Sequence, residues 1–434
     1  MMALMSAPST TKTSPDLAGR DLTLDLARIV CVLLVIVVHL LQVGIGRGPD
    51  GALVTSRPAE EQSWFDAATW VGQVMPLFFV VGGFASAAGW ESWRRRGGDA
   101  AGFVRTRTLR LAQPAWPLFV FFAVVLSVAV LIGAPSDLVA AAAVGAGSPL
   151  WFLAAYLLCQ ALVPLMVGLH ARAPRATVLG LLAGVVAVDA LRFSTGISEI
   201  GLLNLLFVWP LAQQLGFWYR DGWFARRSAL ALVAIAALCY ALLWPLTAWG
   251  PYSTSMLGNL NPPTLPLVLL GVAQACILCL LRPALERVMR VRWVRGFSFV
   301  LGSRLMTIYL WHLPVILVIT GFTLLIPGAA PEPASPAWWW SRPLMFVVVL
   351  AAVLALSLLI ARWEALGTLG ATPAPGVVAL AWACAFIPPF VVMEWFLSLG
   401  SAVLGAVLLG VAVLLLRHRR FARQPVAQSV GSQA

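Results

Sequence analysis

Residues 26–45 read LARIVCVLLVIVVHLLQVGI. One arginine stands at one end and one histidine past the middle; almost everything between is aliphatic. A helix of about 20 residues crosses the hydrocarbon core of a bilayer, and a helix apolar all round has no face to show to water. This stretch therefore predicts a membrane span, and it is not alone. Comparable runs lie at 66–88, 114–133, 149–168, 177–191, 202–219, 229–247, 264–281, 304–326, 344–361, 376–393 and 399–416, giving twelve. The apolar run at 138–146 is too short to span and reads as a surface or re-entrant piece. The expected fold is all-α, a polytopic transmembrane helical bundle. Composition agrees: of 434 residues, 61% are apolar and 11% charged. Soluble chains carry about a quarter charged residues. Disorder needs few apolar residues, and six cysteines are too sparse for a disulfide scaffold.

The net charge of +12 raises nucleic acid as a partner. Placement of the arginines decides against it. With the N-terminus inside, all of the 29 basic residues but Arg47, Arg57, Arg192 and Arg342 fall in inner segments. That is the positive-inside pattern. It predicts both termini in the cytoplasm of a multi-pass plasma-membrane protein, with no nucleic-acid partner. Trp90, Trp93, Trp249 and Trp338–Trp340 fall where spans meet water, as aromatic belts do. Residues 1–20 are polar and read as a disordered cytoplasmic tail with no cleavable signal; 418–434 reads as a second tail. Inner loops are short, so chemistry is expected among the helices or at their cytoplasmic mouths.

Ionisable residues inside spans are costly and are functional candidates. Asp25, Arg28 and His39 share the first span. Eleven residues at about 100° each bring His39 about 20° past three turns from Arg28, on the same face and about 16 Å deeper. Asp25 is one turn before Arg28 and can pair with it. His39 is either a structural histidine bonded to a neighbouring helix or a general base at the end of a channel entered beside Arg28. In the second span, Phe79, Gly82 and Gly83 stand together; the glycines allow close approach of a helix or of a ligand. Arg107 and Arg110 are i, i+3, and read either as topology charge or as a phosphate clamp. In the ninth span Tyr309 and His312 share a face, adding a second intramembrane histidine. His170 and His418 fall in inner loops and need no role. Cys276 and Cys279 form a CxxC at lipid depth, for which packing is the default reading; no metal is expected.

Taken in order, these pieces resemble the acyltransferase-3 family of integral membrane O-acyltransferases. Arg28 with His39 is similar to the family's Arg-x10-His first helix. Phe78-Phe79-Val-Val-Gly82-Gly83-Phe84 resembles its second-helix motif, Arg107-Thr-Leu-Arg110 its RxxR loop, and Tyr309-Leu-Trp311-His312 its late Tyr-x-x-His helix. The resemblance covers a ten-span domain at 21–362, leaving a two-helix extension at 363–417. It implies transfer of an acyl group, commonly acetyl, from cytoplasmic acyl-CoA to a hydroxyl of a sugar, lipid or secreted metabolite. By the resemblance His39 would be the base, with Arg28 and Asp25 shaping its pocket. Arg107 and Arg110 would meet the CoA phosphates, while Phe79, Gly82, Gly83, Tyr156, Tyr309 and His312 would line the substrate cavity. Membrane lipid and a carbohydrate or lipid-linked acceptor are the implied partners. Many members carry Trp-Ser-Leu-x-x-Glu in the fourth helix; here Trp151-Phe-Leu-Ala-Ala-Tyr156 puts a tyrosine in place of the acid. A transporter using the two histidines as a proton relay, and a relative that has lost activity, are the alternatives.

Overall fold

The computed structural model describes residues 21–47, 51, 53–364 and 369–417, with the side chains of 362–364 left aside. The two expected terminal tails, with Lys12 and His418, lie outside the described residues. In chain order the elements begin with α1 (Leu22–Gln42), a hairpin of β1 (Gly44–Arg47) and β2 (Leu53–Ser56), α2 (Phe65–Gly72) and α3 (Met75–Arg95). Then come α4 (Ala100–Leu131), α5 (Ser136–Gly147), α6 (Leu150–Arg172), α7 (Pro174–Thr195), a 3-10 stretch (Ser198–Leu206) and α8 (Val208–Arg220). The remainder is α9 (Ala229–Ala248), α10 (Leu265–Arg290), α11 (Arg292–Gly302), α12 (Leu305–Leu325), α13 (Pro336–Glu364), α14 (Pro375–Trp395) and α15 (Leu399–Arg417). Twelve helical segments among the described residues are long and apolar enough to span. The all-α transmembrane expectation holds.

Helix starts follow local chemistry. Asp21 caps α1 by accepting the Thr23 N–H at 3.0 Å, and Asp99 caps α4 by accepting that of Gly102 at 2.8 Å. Three expectations change. The 138–146 run becomes α5, which joins α6 with a break at Ser148–Pro149, so the pair counts as one of the twelve spans. The long inner loop after the eighth span is mostly helical. There α10 runs on to Arg290 with an Arg282–Glu286 pair at 3.1 Å, and α11 follows, with Trp293, Phe297 and Phe299 exposed beside Arg292 and Arg295. His170 lies within α6, not in a loop; it bonds Gln214 at 2.7 Å and pairs with Asp221 at 2.9 Å.

Helix α1 packs against α3, α10, α12 and α13, so its histidine faces protein, not lipid. Between α3 and α8 the backbones almost touch. A Cβ on Gly83 would stand 2.3 Å from the Gln213 carbonyl oxygen, and one on Gly216 would stand 2.0 Å from that of Val80. Only glycine permits that approach. Ion pairs between Asp21 and Arg282 (3.6 Å) and between Glu91 and Arg220 gather the starts of α1 and the ends of α3, α8 and α10 at one end of the bundle. This is the arginine end.

Candidate active site

Two cavities sit in line along α1. The smaller, about 360 Å3, is lined at the arginine end by Arg28, Arg107 and Arg110, and deeper in by Val35, Phe78, Tyr156, Gln160 and Tyr309. The larger, about 980 Å3, lies toward the opposite end. His39 and Gln42 of α1 line it together with the hairpin, α5, Trp151 and the 255–261 loop.

The histidines stand between them. His39 Nδ1 is 2.8 Å from the Val35 carbonyl oxygen, and His312 Nδ1 is 2.6 Å from that of Tyr309. A carbonyl only accepts, so both Nδ1 atoms carry hydrogen. In a neutral ring each Nε2 then holds the lone pair. His312 Nε2 lies 3.2 Å from His39 Nδ1 and accepts a share of its hydrogen. The rings lie 4.9 Å apart, tilted by 57°. His39 is thereby fixed with Nε2 unprotonated on a ring that borders the larger cavity. Its anchor, Val35, borders the smaller one a turn earlier.

The expected site residues separate into three groups. Arg28, Arg107, Arg110, Tyr156 and Tyr309 share the smaller cavity. Arg107 lies over the Phe103 ring at 4.9 Å, and its guanidinium occupies room that a Cβ on Gly89 would fill. Arg28 lies over Phe78 at 5.6 Å, and its buried Nε has no hydrogen-bond partner among the described residues. Tyr309 donates its hydroxyl hydrogen to the Pro149 carbonyl, tying α12 to the α5–α6 joint. His39 borders the larger cavity and not the arginine-lined one, which reaches α1 only as far as Val35, one turn before it. The third group supports. His312 is completely buried and lines neither cavity, although it shares the helix face of Tyr309, because His39 covers it. Phe79 is buried, stacked on Trp209 at 4.4 Å and edge-on to Phe152 and Tyr156. Gly83 serves the α3–α8 contact, and Gly82 faces the Tyr156 ring at 3.4 Å. Asp25 stays at the arginine end in the first turn of α1 and lines neither cavity. Among the described residues, no three of His, Cys, Asp and Glu come together.

Several lining residues escape a reading by spans. Gln42 donates to Glu60 at 2.7 Å, and Arg57 pairs with Glu60 at 3.2 Å beside the larger cavity. Asp66 holds Thr254 at 2.6 Å there. Only Gln42 could have been found, since it lies three residues after His39 on the same face.

A family model described as an acyltransferase domain, that of the acyltransferase-3 family, matches residues 21–362. No curated protein and no solved structure matches the chain. With more than half of its length matched, from the cap of α1 to the end of α13, the chain belongs to the acyltransferase-3 family and is a membrane-embedded enzyme of the O-acyltransferase type.

Proposed function

We propose that the chain moves an acyl group, acetyl being the expected one, from cytoplasmic acyl-CoA in the smaller cavity to a hydroxyl in the larger cavity, with His39 as the base. A sugar, a lipid or a secreted metabolite would supply the hydroxyl. The observation that carries this reading is the fixed His39 ring on the wall of the larger cavity, one helical turn from Val35, which lines the smaller cavity with its three arginines. The donor end fits a phosphorylated ligand. Arginine forks suit phosphate, and Arg28, Arg107 and Arg110 all line this cavity. The cavity is within the size range of small-molecule sites, and about 16 Å from Arg28 to the depth of His39 suits a pantetheine arm.

The chemistry then needs little else. His39 Nε2 takes the proton of the acceptor hydroxyl as that oxygen bonds to the acyl carbon. The carbon–sulfur bond breaks, and the proton returns to the departing sulfur. Positive charge on His39 during this step strengthens its Nδ1–H bonds to Val35 and His312, so the pair favours the transition state over the resting state. Removing a general base costs about 10²- to 10⁴-fold in rate.

The test is acetyl-CoA binding and slow hydrolysis by purified protein. The expected result is binding without hydrolysis in His39→Ala, and loss of binding in the double variant Arg107→Ala with Arg110→Ala. Absence of binding in wild type would overturn the reading and direct attention to proton-coupled flux through the histidine pair.

A further inference from the structure

Val392, Met393, Phe396 and Leu397 line the larger cavity. They belong to α14 and the turn after it, beyond residue 362, where the family match ends. Helix α14 and its turn are therefore part of the wall of the cavity that His39 borders, with α15 packed behind α14.

Their position is firmly set. Trp116 of α4 donates to the Ala406 carbonyl of α15 at 2.8 Å, and Trp382 of α14 donates to that of Leu157 at 3.2 Å. Gly405 lets α15 sit on the Phe119 ring, where a Cβ would meet the ring at 2.0 Å. Gly147, at the end of α5, does the same for Leu397, at 2.5 Å. The turn itself carries strain. Phe396 has φ 63° and ψ 168°, a region used almost only by glycine, yet its ring is exposed and gains no core burial. Hydrogen bonds from Ser401 Oγ to the Phe396 carbonyl (3.3 Å) and from the Ser398 N–H to Ser401 Oγ (2.8 Å) hold it there. Such conformations persist where the surroundings over-determine them, and they cluster at ligand clamps.

The lining falls into two sets. Gln42, Arg57, Glu60 and Asp66 are joined by hydrogen bonds and ion pairs to one another or to the 254–261 loop. Leu397, Val392 and their neighbours on α5 are apolar and packed on one another. We propose that α14 and its turn form an acceptor-specificity element that holds a hydrocarbon portion of the acceptor, while the polar set holds the hydroxyl-bearing portion near His39. This inference rests on the larger cavity being the acceptor site.

The experiment uses the full chain in lipid nanodiscs and n-alkyl β-glucosides from hexyl to decyl, below their micelle-forming concentrations. The readout is the concentration of each glucoside giving half its maximal effect, as acceptor or as inhibitor, on acetyl-CoA consumption. Complete burial of a methylene is worth roughly fourfold in affinity. With partial burial, wild type is expected to show at least a tenfold fall from hexyl to decyl. Phe396→Gly, which also relieves the strain, and Met393→Thr are each expected to flatten the series to within about twofold. Monodisperse elution and thermal unfolding establish that each variant is folded. A flat series in wild type, no effect of any glucoside, or an unchanged slope in both folded variants would overturn the proposal. His39→Ala in the same assay separates the two readings: consumption that persists without His39 removes the transfer reading itself, whereas His39-dependent consumption with a flat series removes only the apolar wall.

Discussion

At the scale of single residues, the proposed division of labour between His39 and His312 can be read from kinetics. His312 sits behind His39 and would act through it, as a positioning residue. His312→Ala is expected to lower kcat on the order of tenfold to a hundredfold, less than the loss of the base itself, while KM for acetyl-CoA stays within about twofold. His312→Gln, which keeps an acceptor beside His39 Nδ1, should recover part of the rate. A purely structural role for His312 would instead lower Tm and leave the kcat of the surviving folded protein alone. The neighbouring glycines make a second contrast. Gly83→Ala places a methyl group against backbone of α8 that cannot move aside alone. It is expected to destabilise by about 1–3 kcal/mol, as overpacking does. Gly82→Ala meets only the Tyr156 ring at contact distance and should leave Tm within a degree or two. Thermal unfolding of the two variants side by side is the check.

At the scale of elements, three arginines close together in sequence do different things, and helix geometry explains why. Arg107 and Arg110 are about 60° apart around α4, whereas Arg105 is about 160° away from Arg107, on the far side. Arg107 and Arg110 face the smaller cavity. Arg105 is buried and gives Nε and Nη2 to the Leu416 carbonyl (2.9 and 2.7 Å), and Nη1 to those of Gly370 and Ala371 (2.7 and 3.1 Å). It satisfies the Leu416 carbonyl at the C-terminal end of α15 with a cation, where the helix dipole favours one, and ties it to the segment before α14. Arg105→Met is expected to cost about 2–4 kcal/mol, since it leaves those carbonyls without their charged donor. Arg110→Met, at an exposed position, should cost under about 0.5 kcal/mol. Donor binding should respond the other way round, which a Tm series with acetyl-CoA titration resolves.

The same contrast shows what the sequence could and could not disclose. The twelve spans were legible because lipid imposes length and composition on each of them. The order of His39, Gly83, Arg107 and His312 was legible because each is costly or unusual where it stands. The roles of Arg105 and Gln42 were legible in principle from helix angle. The hairpin, the loop with Glu60, the short helix with Asp66, and the turn at Phe396 were not. They are too short to show a periodicity, and their place on the cavity that His39 borders arises only when the whole bundle assembles. The separation of His39 from the arginine cavity was hidden for a similar reason, since helix geometry places two residues on one face without revealing what fills the space between them.

At the scale of the whole molecule, two cavities in line along α1, with the histidine pair between them, make sidedness a chemical question. Acyl-CoA is made and held in the cytoplasm, so the proposed transfer requires the arginine end to face it; the positive-inside pattern asks for the same orientation. The acceptor would then be met from the other side of the membrane, and one protein would pass an acyl group across without passing the donor. Cysteine labelling tests this directly. Five of the six native cysteines are buried and Cys279 is half-buried within α10, so wild type serves as the blank. Ala225→Cys exposes a thiol in the turn after α8 at the arginine end, and Glu61→Cys exposes one in the loop after β2. A membrane-impermeant maleimide added to intact cells should label Glu61→Cys and leave Ala225→Cys unlabelled until the membrane is opened. Acetyl-CoA consumption should follow the same geometry, with inside-out vesicles active on added acetyl-CoA and right-side-out vesicles silent. Labelling of Ala225→Cys in intact cells would put the arginine cavity on the outside, beyond reach of cytoplasmic donor, and the two-sided mechanism would fail even if His39 proved essential.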